Sequence, residues 1–347
     1  MPVSIPPSHI LVTGGTGFIG SHTVLELARQ GYNVVVVDNL SNSCEEPLRR
    51  IEKLAGLKDR IPLFKVDLAD KDGLREVFRQ YSFSSVIHFA ALKSVGESAG
   101  KPLMYYRNNI TGTLNLLDVM AEFGVKNIVF SSSATVYKAD PEGKPFCEDS
   151  ELGCTNPYGR TKLFMESIIQ DVANAEQGWN AIMLRYFNPT GAHESGTMGE
   201  DPMQIPNNLM PYMSQVAIGK LEKLHVFGTD YNTRDGTGLR DYIHVMDVAE
   251  AHVAALKRLR ANQGYEVFNI GSGSGQTVLE MINAMSAACG KKIPYSEDPR
   301  RSGDNDAVIC NPTKAAEMLG FRVTRSLEQI CADLWRWQTV NPNGYEQ

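Results

Sequence analysis

Tyr158 and Lys162 stand four residues apart in the run Tyr158-Gly159-Arg160-Thr161-Lys162. On a helix, positions four apart lie on one face, so a phenol and an ammonium can meet at one point. A free tyrosine, with a pKa of about 10, is a poor base at neutral pH. A cation beside it favours the phenolate and makes it useful. The chemistry this pair suits is removal of a carbinol proton while hydride leaves the same carbon. A nicotinamide ring would take that hydride, and its positive charge would favour the phenolate further.

A dinucleotide needs a cradle, and the chain offers one near its start. Gly14, Gly17 and Gly20 are spaced Gly-x-x-Gly-x-x-Gly between the apolar run Ile10-Leu11-Val12 and a helical pattern. Such glycines permit a tight turn, close approach of backbone to a pyrophosphate, and close packing of helix on strand. Asp38 ends the next apolar run, Val34-Val35-Val36-Val37, where a carboxylate can accept from the adenosine ribose hydroxyls. A carboxylate there would repel a 2′-phosphate, so NAD is expected rather than NADP. Asp67 follows another strand pattern and can reach the adenine, although taken alone it reads as a turn residue. Phe89-Ala90-Ala91-Leu92-Lys93 carries small residues that would let a cofactor come close, and Lys93 is either near a diphosphate or simply at the surface. Ser131-Ser132-Ser133-Ala134-Thr135-Val136-Tyr137 offers hydroxyls between the glycine turn and Tyr158. One of them can hydrogen-bond the substrate oxygen that Tyr158 deprotonates.

The elements that must hold these groups alternate along the chain. Apolar residues at Ile19, Val24, Leu25, Leu27 and Ala28 predict a helix that Gly31 stops. Continuous apolar runs, as parallel strands carry, predict strands at 34–38, 63–67, 85–89, 127–131 and 181–185. Helices are expected at 74–80, at 104–123 and around Tyr158. This alternation predicts an α/β fold with a doubly wound parallel sheet of the Rossmann type. After Asn188-Pro189 the texture turns rich in Gly, Pro and Asn. A helix is expected at 209–218, strand then helix over 241–260, a strand at 267–270, and helices near 277–288, 313–319 and 326–338. The reading is an NAD-binding domain over 1–188, regaining a segment at about 241–270. A smaller α/β C-terminal substrate domain takes 189–240 and 271–347.

Composition narrows the partners. The length of 347 residues has room for about two domains, and 42% apolar with 21% charged residues is ordinary for an enzyme. A net charge of −6 without a basic run argues against a nucleic-acid surface. No apolar stretch reaches the ~18 residues of a membrane span. The start Met1-Pro2-Val3-Ser4 lacks a signal layout, so a cytoplasmic location is expected. Six scattered cysteines without Cys-x-x-Cys predict reduced thiols and no metal.

Taken together, these motifs resemble those of the extended short-chain dehydrogenase/reductase superfamily and, within it, the UDP-glucose 4-epimerase family. The resemblance runs from Leu11-Val12-Thr13-Gly14-Gly15 to Arg301-Ser302-Gly303-Asp304. Its specific signatures are Ser131 to Tyr137, Asn156-Pro157-Tyr158-Gly159, Arg185-Tyr186-Phe187-Asn188-Pro189, Ile205-Pro206-Asn207-Asn208-Leu209 and Arg240-Asp241-Tyr242-Ile243-His244.

The resemblance implies roles that spacing does not assign. Ser133 and Tyr158 would be the catalytic hydroxyl and the base, and Lys162 would hold the nicotinamide ribose. Gly17, Phe18 and Ile19 would lie along the pyrophosphate, Asp38, Asn39 and Asn42 around the adenosine ribose, and Asp67 with Leu68 at the adenine. Phe89, Lys93 and Tyr186 would complete the cofactor cleft. Asn188, Asn207, Asn208, Leu209, His225, Val226 and Phe227, with Arg240, Arg301 and Asp304, would hold the uridine diphosphate of the substrate, Lys93 lying near it too. Guanidinium groups suit bidentate contacts to phosphate oxygens. Val308 would border the sugar pocket, and its small size relative to tyrosine implies room for a 2-acetamido group. The implied reaction is oxidation at sugar C4, rotation of the 4-keto sugar, and return of hydride, in a homodimer built through helices near 104–123 and 158–173.

Two positions depart from the family pattern. Lys138 stands where glycine is usual, which would be strained at a positive φ, and His225 stands where asparagine is common. A nucleotide-sugar 4,6-dehydratase is the first rival, but it needs an Asp-Glu pair where this chain has Ala134 and Thr135. A catalytically dead dinucleotide-binding regulator is the second, and it would have no need of Ser133, Tyr158 and Lys162 together.

Overall fold

The computed structural model describes residues 8–140, 142–259, 261, 264–301 and 304–345. In chain order the first elements are β1 (His9–Thr13), α1 (Phe18–Arg29), β2 (Val34–Asp38), α2 (Glu46–Leu54), β3 (Leu63–Lys65), α3 (Lys71–Gln80) and β4 (Phe83–His88). There follow α4 (Val95–Gly100), α5 (Pro102–Tyr105), a π-helical turn (Tyr106–Thr111), α6 (Gly112–Glu122), β5 (Asn127–Ser133) and a 3-10 turn (Ala134–Val136). Next come α7 (Pro157–Ala175), β6 (Asn180–Tyr186), β7 (Asn188–Thr190), α8 (Leu209–Ile218), β8 (Leu224–Phe227), β9 (Leu239–His244) and α9 (Val245–Leu259). The chain finishes with β10 (Gly264–Ile270), β11 (Gly275–Thr277), α10 (Val278–Cys289), β12 (Tyr295–Asp298), β13 (Ala307–Val308), α11 (Thr313–Met318) and α12 (Leu327–Val340).

The main sheet has seven strands in the order β10-β6-β5-β4-β1-β2-β3, and the pairs from β5 to β3 run parallel. Strands β1 and β2 are buried almost throughout, so their unbroken apolar runs satisfy helices on both faces. The doubly wound sheet expected from the alternation is what forms.

Contacts divide the chain into two compact units, each assembled from separated segments. The first comprises Met1–Ser132, Asn156–Leu184 and His252–Val267. Its core joins Leu11, Val35, Leu74, Phe130, Met165 and Trp179. The second comprises Ser133–Thr155, Arg185–Ala251 and Phe268–Gln347, with a core around Met213, Ile282, Met285, Leu334 and Trp337. Within it, β9 is the hub of a small sheet, pairing with β11, β13 and β7.

Two expectations are corrected, and the condition attached to Lys138 is not met. Residues 104–123 form no continuous α-helix, because the π turn interrupts it at Tyr106–Thr111. The buried Asn109 directs its amide away from the helix: its Oδ1 accepts from Leu92 N at 2.8 Å, and its Nδ2 donates to Leu92 O at 3.1 Å and Thr161 Oγ1 at 2.9 Å. Apolar spacing does not register one widened turn. Strand β3 ends at Lys65, so Asp67 lies two residues beyond it. Lys138 carries no strain, since the one non-glycine residue with positive φ among the described residues is Leu40, at 57°. Lys138 N–H donates to Glu151 O at 2.9 Å, and Gly153 makes room opposite: a Cβ there would sit 2.8 Å from the Lys138 Cβ.

Candidate active site

The glycine turn works through close packing. Gly14 has φ +70°, and an added Cβ would stand 2.7 Å from Ala90 N, so the turn and the 89–90 segment press backbone to backbone. At Gly20 a Cβ would meet Gly14 O at 2.1 Å, which locks α1 onto the end of β1. Gly17 differs: its Cβ would touch only Gly14 O, at 3.4 Å, so glycine there leaves space rather than filling it. Gly17 is also the N-cap of α1 and lends the helix no side-chain cap. The first-turn N–H groups therefore meet the requirement of an anion, and a dinucleotide pyrophosphate fits.

At the end of β2 the buried Asp38 accepts from Thr16 N at 3.2 Å, Leu40 N at 3.0 Å and Ser43 Oγ at 3.2 Å. A carboxylate has about four acceptor sites, so one remains for a ribose hydroxyl. Asn39 Nδ2 donates to Asp67 Oδ2 at 2.8 Å, and these two residues with Ser41 and Lys65 line an open cavity of about 370 Å³. Leu68, buried, is fixed by Asn115, whose Nδ2 donates to its carbonyl at 2.9 Å. Asn42 and Lys93 are exposed, and Phe89 packs its ring against His252 with centroids 4.6 Å apart. Tyr186 is buried at the end of β6.

Helix α7 begins where the Asn156-Pro157-Tyr158-Gly159 motif dictates. Asn156 caps it, accepting from Gly159 N at 2.8 Å, and Pro157 occupies the first turn, where no N–H is missed. Tyr158 N donates to Ser98 Oγ at 3.2 Å, which fixes the start of the helix from a second side. One turn on, Lys162 is 3% exposed; its Nζ donates to Ser131 O at 2.6 Å and lies 4.9 Å from the centre of the Phe130 ring. Burial pulls the ammonium down to about 7, and the negative charge of Glu166 opposes that fall. Glu166, another turn along and buried, accepts from Ser132 Oγ. The sequence reading missed Glu166, although its place four residues after Lys162 was the available signal. Asn109 was missed as well, because its partners Leu92 and Thr161 are distant in sequence. Ser133 is the last residue of β5 and is 9% exposed.

In the second unit the arginines converge on Asp304. Arg301 Nε donates to its Oδ2 at 2.8 Å, Arg240 Nη2 lies 3.6 Å from its Oδ1, and Tyr231 OH donates to it at 3.4 Å. The Arg301 guanidinium also covers the Phe227 ring, 5.1 Å from its centre, and His225, on the same outward face of β8, stacks 6.2 Å from Phe227. His225 Nδ1 pairs with Asp298 Oδ2 at 2.6 Å, while Val226 between them is buried. Asn188 Nδ2 donates to Asp241 O at 2.8 Å, tying β7 to β9 beside Arg240. Asp241 itself, fully buried, accepts from Ser272 N and Oγ, Gly273 N and Cys310 N. Asn208 is the N-cap residue of α8 and Leu209 its first residue, with Asn207 just before. Val308 lies on β13, in register with Arg240 on β9. Ser302 and Gly303 lie outside the described residues.

Residues 10–271 match the sequence profile of the NAD dependent epimerase/dehydratase family. The chain belongs to this family. Within the family it is 54% identical over 343 residues to human UDP-glucose 4-epimerase, covering 97% of this chain and 98% of that protein. UDP-glucose 4-epimerase of Bacillus subtilis (strain 168) is also 54% identical, over 337 residues, with 97% and 98% covered. Among solved structures, that of Bifidobacterium longum UDP-glucose 4-epimerase in complex with NAD+ and UDP superposes with a TM-score of 0.93. It shares 47% identity and covers 97% of this chain and 100% of that one. The family's cofactor is the one that the turn at Gly14–Gly20 and the carboxylate of Asp38 fit.

Proposed function

We propose that this chain is an NAD-dependent isomerase that interconverts UDP-galactose and UDP-glucose by inverting the hydroxyl at sugar C4. The observation that carries the reading is Tyr158 one helical turn before the buried Lys162, whose Nζ is fixed on Ser131 O at the end of β5. Bound NAD supplies a hydride acceptor and donor for C4. Tyr158 takes the proton of the 4-hydroxyl and later returns one, acting as a positioned general base and then general acid. Lys162 holds the nicotinamide ribose and keeps a positive charge near the phenol. Ser133 hydrogen-bonds the C4 oxygen.

The second unit supports anchoring by the nucleotide. Arg240 and Arg301 already lie on Asp304, so a diphosphate would exchange one anionic partner for another with both guanidiniums in reach of each other. Phe227, His225 and Val226 on β8 would hold the uracil, and Asn188, Asn207, Asn208 and Leu209 the phosphates and ribose. With binding energy concentrated on the nucleotide, the hexose stays free to turn and present its other face. We also assign most residues of the first unit's site to NAD and most of the second's to the UDP-sugar, with Tyr186 joining the cofactor set and Lys93 and Tyr158 the substrate set, and extend the substrates to the N-acetylated pair, turned over more slowly.

A homodimer is part of the reading. Leu103 on α5, Leu114 on α6 and Phe164 on α7 are exposed large apolar side chains, and Phe164 stacks on Tyr106 with ring centres 6.2 Å apart. That face suits a second copy. No described helix is long and apolar enough to cross a membrane, and a cytoplasmic site of action is proposed. Elimination of water is disfavoured, because Ala134 and Thr135 offer neither acid nor base where a dehydratase needs both.

Incubation of the purified protein with UDP-galactose alone tests this. The expected product is UDP-glucose with no net change in cofactor redox state. A deoxy-keto sugar, or NADH released in proportion to substrate, would overturn it.

A further inference from the structure

We propose that Thr135 is a positioning residue that fixes the Ser133 hydroxyl as a hydrogen-bond donor, so that Ser133 itself does not take the C4 proton. This rests on the assignment of Ser133 to the C4 oxygen. A serine hydroxyl has one hydrogen to give and two lone pairs to offer. Ser133 Oγ receives Thr135 N–H at 3.2 Å and Thr135 Oγ1–H at 3.0 Å. Both lone pairs are thus met by one residue two positions on. Among the described residues no protein acceptor takes the Ser133 hydrogen, so it remains for a ligand.

The local backbone enforces this arrangement. Ser133 is extended, at φ −152° and ψ 146°, and the chain then tightens into the 3-10 turn Ala134–Val136. Tyr137 N donates to Ala134 O at 3.1 Å and closes the turn. Tyr137 is itself pinned: its hydroxyl donates to Asn269 Oδ1 at 2.6 Å and accepts from Arg185 Nη1 at 2.9 Å, while its ring stacks on Phe146 at 4.9 Å. Thr135 is therefore held over Ser133 from the following side by a buried network.

The chemical consequence is directional. A serine with a spare lone pair could accept the sugar proton or donate to the oxygen in turn. One whose lone pairs are filled can only donate, and a donor is what an oxygen gaining negative charge needs. The proton therefore goes from the C4 hydroxyl to Tyr158, and Ser133 stabilises the oxygen left behind.

The test compares Thr135→Val, Thr135→Ser, Ser133→Ala and the double variant Ser133→Ala/Thr135→Val, measuring kcat and KM for UDP-galactose and the bound NAD content. A single hydrogen bond is worth about 0.5–1.5 kcal/mol, so Thr135→Val is expected to lower kcat about two- to tenfold with KM and NAD content unchanged. Thr135→Ser should restore it. The double variant should be no slower than Ser133→Ala, because Thr135 acts through that hydroxyl. Native kcat in Thr135→Val, failure of Thr135→Ser to rescue, or additive losses in the double variant would overturn the role of Thr135 while leaving Ser133 in place. Native kcat in Ser133→Ala would instead remove the assignment of Ser133, and the inference with it.

Discussion

At the scale of single residues, the site divides into groups that share a helix turn and groups that only folding brings together. Tyr158 and Lys162 are of the first kind, and helical geometry made their meeting readable without a structure. Replacing Tyr158 by Phe is expected to leave the fold and bound NAD intact and to lower kcat about 10²–10⁴-fold, the usual worth of a general base; stopped assays of UDP-galactose conversion would measure it. The gathering of Arg240, Arg301 and Tyr231 on Asp304 is of the second kind. Their positions in sequence gave no sign of a shared carboxylate; the resemblance to a family suggested a common ligand for Arg240, Arg301 and Asp304, and Tyr231 was missed. Val308 lies between these cases. It is partly buried and paired in register with Arg240, so its side chain is stiffly placed near the arginine. Val308→Tyr is expected to abolish turnover of UDP-N-acetylgalactosamine and to keep that of UDP-galactose. Equal turnover of the acetamido sugar by both proteins would show that another residue sets pocket width.

At the scale of elements, legibility followed how local the determinants are. Helix α8 begins at Leu209 and ends at Ile218 as the apolar pattern indicates, because Asn208 precedes it and Gly219 ends it in the left-handed region. The π turn at Tyr106–Thr111 was not legible, since Asn109 widens the helix for partners on other elements. The short strands β7, β8 and β11 to β13 were equally hidden, being too brief to carry a period. The junction of β1 with α1 shows how tight the readable part is. A methyl on Gly20 would collide with Gly14 O at 2.1 Å, a backbone atom that cannot rotate away. Gly20→Ala is expected to cost about 1–3 kcal/mol through overpacking and to reduce the NAD retained on purification. Thermal unfolding with and without added NAD would check it; a native midpoint and full NAD content would show that α1 can shift without loss.

For the whole molecule, the stability of the NAD-free form should depend on acidity through His88. The ring is 1% exposed, with Nδ1 at 2.7 Å from Thr13 Oγ1 and Nε2 at 2.9 Å from Thr113 Oγ1. Burial, with the nearby charge of Lys162 adding to it, pushes the imidazole from its usual 6.5 down to about 3. The unfolded chain takes up that proton below pH 6.5 and the folded one does not. Stability from this group is therefore full above pH 6.5 and falls as the pH drops towards 3, by at most about 1.4 kcal/mol per pH unit for one proton. Urea unfolding between pH 4 and 7 should show a shallower pH slope in His88→Gln than in the native protein, whatever the variant does to absolute stability; parallel slopes would mean that His88 takes up its proton in the fold as readily as in the unfolded chain. The order of segments along the chain has a different consequence, for the time before any of this stability exists. The outermost partner of β6 is β10, and its residues are made only after everything from Phe187 to the end of α9. At about 5–20 residues per second on the ribosome, roughly 80 residues take about 4–16 s. Through that interval β6 can offer a row of unpaired backbone groups to whatever extended peptide lies nearest, including the same strand on a neighbouring nascent chain. A message that stops early, anywhere between β6 and β10, would make that exposure permanent.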